Sequence, residues 1–247
     1  MTAATDAEAV VANPFIGMVA PYDFALDREL WRWLPDTAHL LLTRTPYEGL
    51  PVTVEQAVRI GDPAVVAAAA RSVITPAPAV VGYACTAGSF VGGLAGERTL
   101  VAALLSAGAP AAVTTSGAVV QAMVALGATR VAVATPYDET INALLVAFLQ
   151  EAGISVTATS GLGLRSGIWT VPSATTVDLV RHAWTEDCEA VFVSCTNLAT
   201  YDVIEPLEAE LGVPVVSANQ ATMWAAVALA GLRACGAGQR LVERGLP

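Results

Sequence analysis

Two strand-like runs in this chain end in a cysteine followed by threonine, and that pairing limits the possible folds more than any other feature. Val191-Phe192-Val193-Ser194-Cys195-Thr196 lines up with Val81-Gly82-Tyr83-Ala84-Cys85-Thr86. After Cys195, residues 198–212 carry apolar side chains at helical spacing and end in Gly212, so the unit reads strand, thiol, helix. Alternating strands and helices imply a parallel sheet. The carboxyl end of such a strand, beside a helix N-terminus, is where open α/β sheets bind ligands and where the helix dipole favours thiolate over thiol.

Two more pairs of segments keep the same order. Pro21-Tyr22-Asp23 follows an apolar run at 15–20, and Pro136-Tyr137-Asp138 follows one at 129–135. The proline-led run at 110–115 matches the one at 214–219. Three ordered matches predict a duplicated α/β unit with two pseudo-symmetric, flavodoxin-like halves, each a four-stranded parallel sheet. The first half is read as residues 14–115, with 221–247 packing back on it, and the second as 116–220. Further strands are expected at 39–43 and 154–159, and helices at 25–34, 64–73, up to 107, 139–152 and 175–184. Loops are read before the 64–73 helix and at 160–172, the latter a flexible glycine-containing cover over a site. Residues before Asn13 are read as a tail. A pseudo-two-fold between the halves brings both cysteine-bearing strand ends to one cleft.

Composition narrows the function classes. Of 247 residues, 55% are hydrophobic, which excludes a wholly disordered chain and allows a large core. The net charge of −10 comes from only 14% charged residues, so nucleic-acid binding has no basic patch. Apolar stretches such as 223–232 are too short to span a bilayer, so no membrane partner is expected. The acidic start, without a basic and apolar leader, points to the cytoplasm, where the four cysteines stay reduced. His39 and His182 lie far apart and outside metal-ligand spacing, so no metal is expected. There is no phosphate-binding loop, and the glycines at 161–167 miss the dinucleotide spacing by one residue. No cofactor is therefore implied.

What remains is thiol chemistry. Two thiols facing a small carbon acid can remove a proton on one side and return it on the other; alternatively, one thiolate adds to an electron-poor double bond while the other manages the proton. Cys85 and Cys195 are the candidate catalytic residues; Cys188 and Cys235 lack the strand-end context and are read as structural. Thr86, Thr196 and Asn197 flank the thiols and are candidate oxyanion donors, or plain helix caps. Tyr137 is read as a donor to a substrate carboxylate or as seam packing, and Tyr22 at the matching position is also a substrate-binding candidate. Arg44, at a strand end, is a carboxylate clamp or a surface ion-pair partner. Asp27, Arg28, Glu29 and Arg32 read as a solvated helix face.

With these residues in view, the chain resembles the aspartate/glutamate racemase superfamily, in its maleate cis-trans isomerase and arylmalonate decarboxylase branch. The resemblance rests on the Cys85 strand with Ser89-Phe90-Val91-Gly92-Gly93, on residues 131–137, on Ser194-Cys195 and on residues 211–217. It implies Cys85 as nucleophile, Cys195 as proton donor, Tyr137 as carboxylate ligand, a small carboxylate as substrate and a homo-oligomer. Decarboxylases of this branch have glycine where Cys85 stands, so the resemblance favours an isomerase, with an Asp/Glu-type racemase or a decarboxylase as alternatives. Pro21-Tyr22-Asp23-Phe24 stands where maleate isomerases carry an asparagine that holds a carboxylate, and a second such asparagine, after Thr159, is replaced by Gly or Ser. The same stretch and Asp27-Arg28-Glu29-Leu30-Trp31 are similar to ectoine-utilisation proteins. A non-catalytic carboxylate-binding protein of the same fold is the competing class.

Overall fold

Two sheets, each of four parallel strands, organise the protein. A computed structural model describes residues 14–244, so the segment before Asn13 lies outside the described residues. The first sheet holds β1 (Phe15–Ala20), β2 (His39–Arg44), β3 (Val80–Tyr83) and β4 (Ala112–Thr114) in the order β2-β1-β3-β4. The second holds β5 (Arg130–Thr135), β6 (Ser155–Gly161), β7 (Ala190–Val193) and β8 (Val215–Ser217) in the order β6-β5-β7-β8. The same pattern thus occurs twice, as the duplicated sequence order requires. The central strands β1, β3, β5 and β7 are almost entirely buried, which explains why they read as continuous apolar runs instead of alternating ones.

In an order of this kind the chain leaves β1 on one side and returns on the other, so a crevice opens between the carboxyl ends of β1 and β3, and again between β5 and β7. Asp23 follows β1, Cys85 follows β3, Tyr137 follows β5 and Cys195 follows β7. The two crevices face each other across the seam between the halves. Helix α6 (Thr115–Leu126) packs on α10 (Ala218–Leu229), and α10 also meets α1 (Asp27–Trp33), β3 and β4.

Local chemistry sets most helix boundaries. Asp138 accepts from Ile141 N at 3.1 Å and starts α7 (Glu139–Glu151), whose face of Ile141, Leu145, Phe148 and Leu149 is almost fully buried. Each such side chain contributes about 1.5–3 kcal/mol by leaving water. Ser217 and Gln220 close a capping box at the start of α10. Gly212, with φ of 74°, ends α9 (Tyr201–Leu211) in the left-handed region, as its place at the end of the apolar pattern predicts.

Several boundaries differ from the sequence reading. Between β2 and α3 (Pro63–Ile74) a further helix, α2 (Val54–Ile60), forms where a loop was expected; Thr53 caps it by accepting from Gln56 N. Residues 86–90 form the short helix α4 (Thr86–Phe90), ahead of α5 (Gly93–Ser106), and α8 (Ser173–Ala183) precedes β7. A terminal helix, α11 (Arg240–Arg244), packs on α6 and α10. Helix α9 begins three residues later than expected, because Cys195 adopts φ of 98° and the chain makes a turn first, with Leu198 N donating to Cys195 O at 3.3 Å. Glu29, expected on a solvated face, is buried, while Arg32 on the same helix pairs with Asp202 at the surface. No helix among the described residues is long and apolar enough to cross a membrane.

Replacing Asp138 by Ala should lower stability by about 1 kcal/mol through loss of the α7 cap. A urea titration of the variant should show a lower midpoint with an unchanged slope.

Candidate active site

A small cavity of about 30 Å³ sits where the two crevices meet, lined by Asp23, Cys85, Thr86, Tyr137, Cys195 and Thr196, with Asn197, Gln56, Val52 and Ile168 completing its walls. The space suits about one water molecule. Its cover comes from both halves: Val52 N, in the segment before α2, donates to Arg165 O at 2.8 Å in the 162–172 loop, and Val52 and Ile168 are both buried. The 162–172 loop thus reaches the cavity through Ile168, and it is joined by Val52 of the 45–53 segment, which had no assigned role.

The two thiols enter differently. Cys85 caps α4, its Sγ accepting from Gly88 N at 3.3 Å. Gly88 has to be glycine here: a Cβ would press into Tyr83 Oη and come to 3.2 Å from Cys85 Sγ. Cys195 Sγ accepts from Asn197 N at 3.4 Å within the turn, not at a helix start. All four cysteines are free, with Cys188 buried elsewhere and Cys235 exposed.

Electrostatically the site runs against the expectation of a resting thiolate. Burial pushes Cys85 up to about 12, against the opposing pull of the Gly88 amide and the Tyr83 phenol. Cys195 is pushed up to about 11 by burial, against the Asn197 amide and the Tyr137 phenol. The Asp23 carboxylate adds a smaller upward push on both. Loss of water from a thiolate outweighs one or two amide dipoles, so both thiols rest protonated in the closed form. Tyr137, buried beside both thiols, is also raised, first by desolvation and then by the sulfurs. Asp23 itself is raised by burial despite its own amide and Gln56. The cavity wall holds no basic side chain to offset it.

Other sequence candidates sort unevenly. Thr86 is buried on the wall, and its Oγ1 has no partner among the described residues, so it can receive or donate to a bound group. Thr196 lines the wall as well. Asn197 is there, but its amide is spent: Oδ1 accepts from Ala25 N at 2.9 Å and Nδ2 donates to Asp23 O at 3.2 Å. Tyr22 does not reach the cavity; its hydroxyl bonds Leu50 and Gln56, and its ring packs edge-on against Tyr47. Arg44 also lies outside, its guanidinium on Asp27 at 2.6 Å and on Phe24 O at 3.0 Å. The surface ion-pair alternative holds for Arg44. Sequence reading missed Asp23 and Gln56: Asp23 stood in the quoted Pro-Tyr-Asp but the tyrosine was chosen, and Gln56 sits on the helix that was read as loop.

Two crevices of one duplicated α/β unit, closing on a shared pair of thiols, define the class of this protein. The arylmalonate decarboxylase family profile matches residues 60–242, and the chain belongs to that family. Arylmalonate decarboxylase of Bordetella bronchiseptica is 39% identical over 166 residues, 66% of this chain and 69% of that protein. Maleate isomerase of Nocardia farcinica is 30% identical over 153 residues, 59% of this chain and 61% of that protein. Among solved structures, a liganded arylmalonate decarboxylase with one glycine changed to cysteine and one cysteine to serine gives a TM-score of 0.84 at 34% identity, covering 92% of this chain and 98% of its own. A cysteine-to-serine variant of a Nocardia farcinica maleate cis-trans isomerase, carrying a covalently bound succinylcysteine intermediate, gives 0.81 over 93% and 98% at 24% identity, which speaks for the fold alone.

The raised thiols make a prediction with a defined sign. Iodoacetamide should alkylate Cys85 and Cys195 slowly at pH 7, with rates still climbing towards about 12 for Cys85 and about 11 for Cys195. Below ~8.5, the value of an unfolded cysteine, both states keep the proton and stability is unaffected. Above it the unfolded chain loses its protons first, so stability should fall as pH rises to the folded values. Alkylation that levels off below pH 8 in the ligand-free protein would contradict this electrostatic account.

Proposed function

We propose that this protein isomerises a small carboxylic acid without a cofactor, using Cys85 and Cys195 as the reacting thiols. The observation that supports this reading is the confinement of two unlinked thiols, from corresponding strand ends, on one small buried cavity. In a maleate-type reaction, Cys85 first loses its proton to water while the cover is open. The thiolate then adds to one alkene carbon as Cys195 gives its proton to the other. The central bond rotates, Cys195 takes that proton back, and the C–S bond breaks to release the trans acid and the Cys85 thiolate. The succinylcysteine reported for the Nocardia farcinica variant is an adduct of the type this step forms. In a racemase-type reaction the thiolate removes the α-proton and the opposite thiol supplies one, so the two exchange roles with direction. Thr86, Thr196 and Tyr137 are the donors available to a carboxylate or enolate oxygen. Tyr22, Arg44 and the Asn197 side chain, engaged elsewhere, have no substrate role in this reading.

The second reading is decarboxylation of a malonate, favoured by the family match and the 39% identity to the Bordetella bronchiseptica enzyme. There carbon dioxide leaves, and one thiol returns a proton to carbon, so Cys195 suffices. Maleate, aspartate or glutamate in deuterium oxide, and phenylmalonate separate the outcomes as fumarate formation, α-deuteration and carbon dioxide release. Isomerase or racemase turnover should drop about 10³-fold in Cys85→Ser, the loss of one proton-transfer or nucleophilic group. Carbon dioxide release that survives Cys85→Ser and vanishes in Cys195→Ser would establish the decarboxylase instead.

Asp23 bears on which acid is used. A dianion would place one carboxylate against it, and two like charges a few ångströms apart repel by about 4 kcal/mol at an effective dielectric near 20. An acid carrying an ammonium group would relieve Asp23 instead. Asp23→Asn should therefore improve kcat/KM or inhibition by maleate roughly ten-fold or more and weaken that of aspartate. An unchanged ratio between the two acids would remove Asp23 from substrate selection.

A further inference from the structure

The turn that carries Cys195 is tied to the first half of the molecule by a buried carboxylate. Glu29 projects from α1 into the second half, where its Oε1 accepts from Thr200 N, from Tyr201 N at 2.8 Å and from Thr200 Oγ1 at 3.3 Å. Its Oε2 accepts from Asn219 Nδ2, which also donates to Thr196 O at 2.9 Å. Thr200 in turn donates to Ser217 Oγ at 2.9 Å. No basic side chain pairs with Glu29 among the described residues; burial raises its carboxyl, against the opposing pull of the Thr200 and Tyr201 amides at the start of α9 and of Asn219. The bonds therefore grip the Cys195 turn at Thr196 through Asn219, and directly at Thr200 and Tyr201.

That turn needs holding. Cys195 adopts φ of 98°, a conformation that a residue with a side chain keeps only when its surroundings fix it. Cys85, by contrast, has an ordinary extended φ of −148° at the start of its helix. Only one of the two thiols thus depends on an imposed backbone shape.

We propose that Glu29 is a positioning residue that holds Cys195 opposite Cys85, by binding the strained turn of one half to α1 of the other. It acts through the backbone and touches neither the cavity nor a substrate. The proposal rests on the proposed function only in treating Cys195 as a reacting thiol.

The test compares the two cysteines within one protein, with no substrate present. Glu29→Gln keeps the shape but sets an amide NH₂ against either Asn219 Nδ2 or the Thr200 and Tyr201 amides, leaving donors face to face. Cys195 alkylation by iodoacetamide, read by peptide mass spectrometry, should then rise roughly ten-fold while Cys85 stays within about two-fold, as local opening of one turn requires. In any reaction the wild type catalyses, kcat should fall by about 10²-fold with little change in KM. Asp202→Ala is the control: it removes the exposed bidentate pair with Arg32 at the same boundary and should leave the alkylation ratio at the wild-type value. Equal acceleration of both cysteines, or a lower Tm with an unchanged ratio, would reduce Glu29 to a stabilising contact and overturn the proposal. Glu29→Asp, which keeps the charge and shortens the reach, decides by the same ratio where Glu29→Gln fails to fold. Loss of activity in Cys85→Ser bears on the proposed function and leaves this ratio untouched.

Discussion

Burial of two sulfur atoms on one small cavity is the constraint on which the rest of the site depends. A lone thiol at a strand end, open to solvent and next to helix amides, ionises readily. Here the same amides are present, yet the cover from 45–53 and 162–172 shuts the space to about 30 Å³ and desolvation overrides them. Thiol ionisation is thus coupled to the cover: while these segments bury the sulfurs, both stay protonated.

The duplicated architecture supplies the two thiols but not two equivalent sites. Pro21-Tyr22-Asp23 and Pro136-Tyr137-Asp138 are the same tripeptide after corresponding strands, and the structure uses opposite members of it. In the second half Tyr137 lines the cavity and Asp138 caps α7. In the first half Asp23 lines the cavity, while Tyr22 bonds Leu50 and Gln56. The difference traces to the residues just beyond each aspartate. A helix starts directly after Asp138 and claims its carboxylate, whereas after Asp23 the chain makes a turn, and α1 begins at Asp27 without a side-chain cap. The aspartate freed by that turn becomes the cavity's one carboxylate.

This asymmetry marks what could be read from the sequence. The parallel four-stranded halves and the meeting of Cys85 with Cys195 were legible because each rests on local pattern repeated in order: apolar runs, a thiol at the end, glycine after the helix. Rotamers and partners were not. Arg44 at a strand end has the same sequence signature whether it faces a ligand or Asp27, and Glu29 among charged neighbours has that of a solvated face until α1 docks against the start of α9. Helix α2 was hidden because Pro51, Thr53 and Gly61 bracket only seven helical residues. In each case the deciding contact comes from residues distant in the chain, which periodicity does not record.

The same distant contacts explain why the two thiols are anchored differently. Cys85 is held by its own segment, through Gly88 three residues on, with the Tyr83 phenol two residues before close enough to favour its thiolate. Cys195, displaced from its helix by a turn, has local bonds from Asn197 N and Leu198 N and draws on the other half as well, through the Asn197 side chain on the 23–25 turn and the hydrogen bonds of Glu29. A thiol fixed by long-range bonds moves when the halves move; a thiol fixed locally does not. Opening of the cover, which joins the halves through Val52 and Arg165, can therefore change the distance between the sulfurs while Cys85 keeps its geometry. In a reaction with one thiol bonded to carbon and the other delivering a proton, that division of labour places the adduct on the rigid partner and the adjustable proton donor on the other.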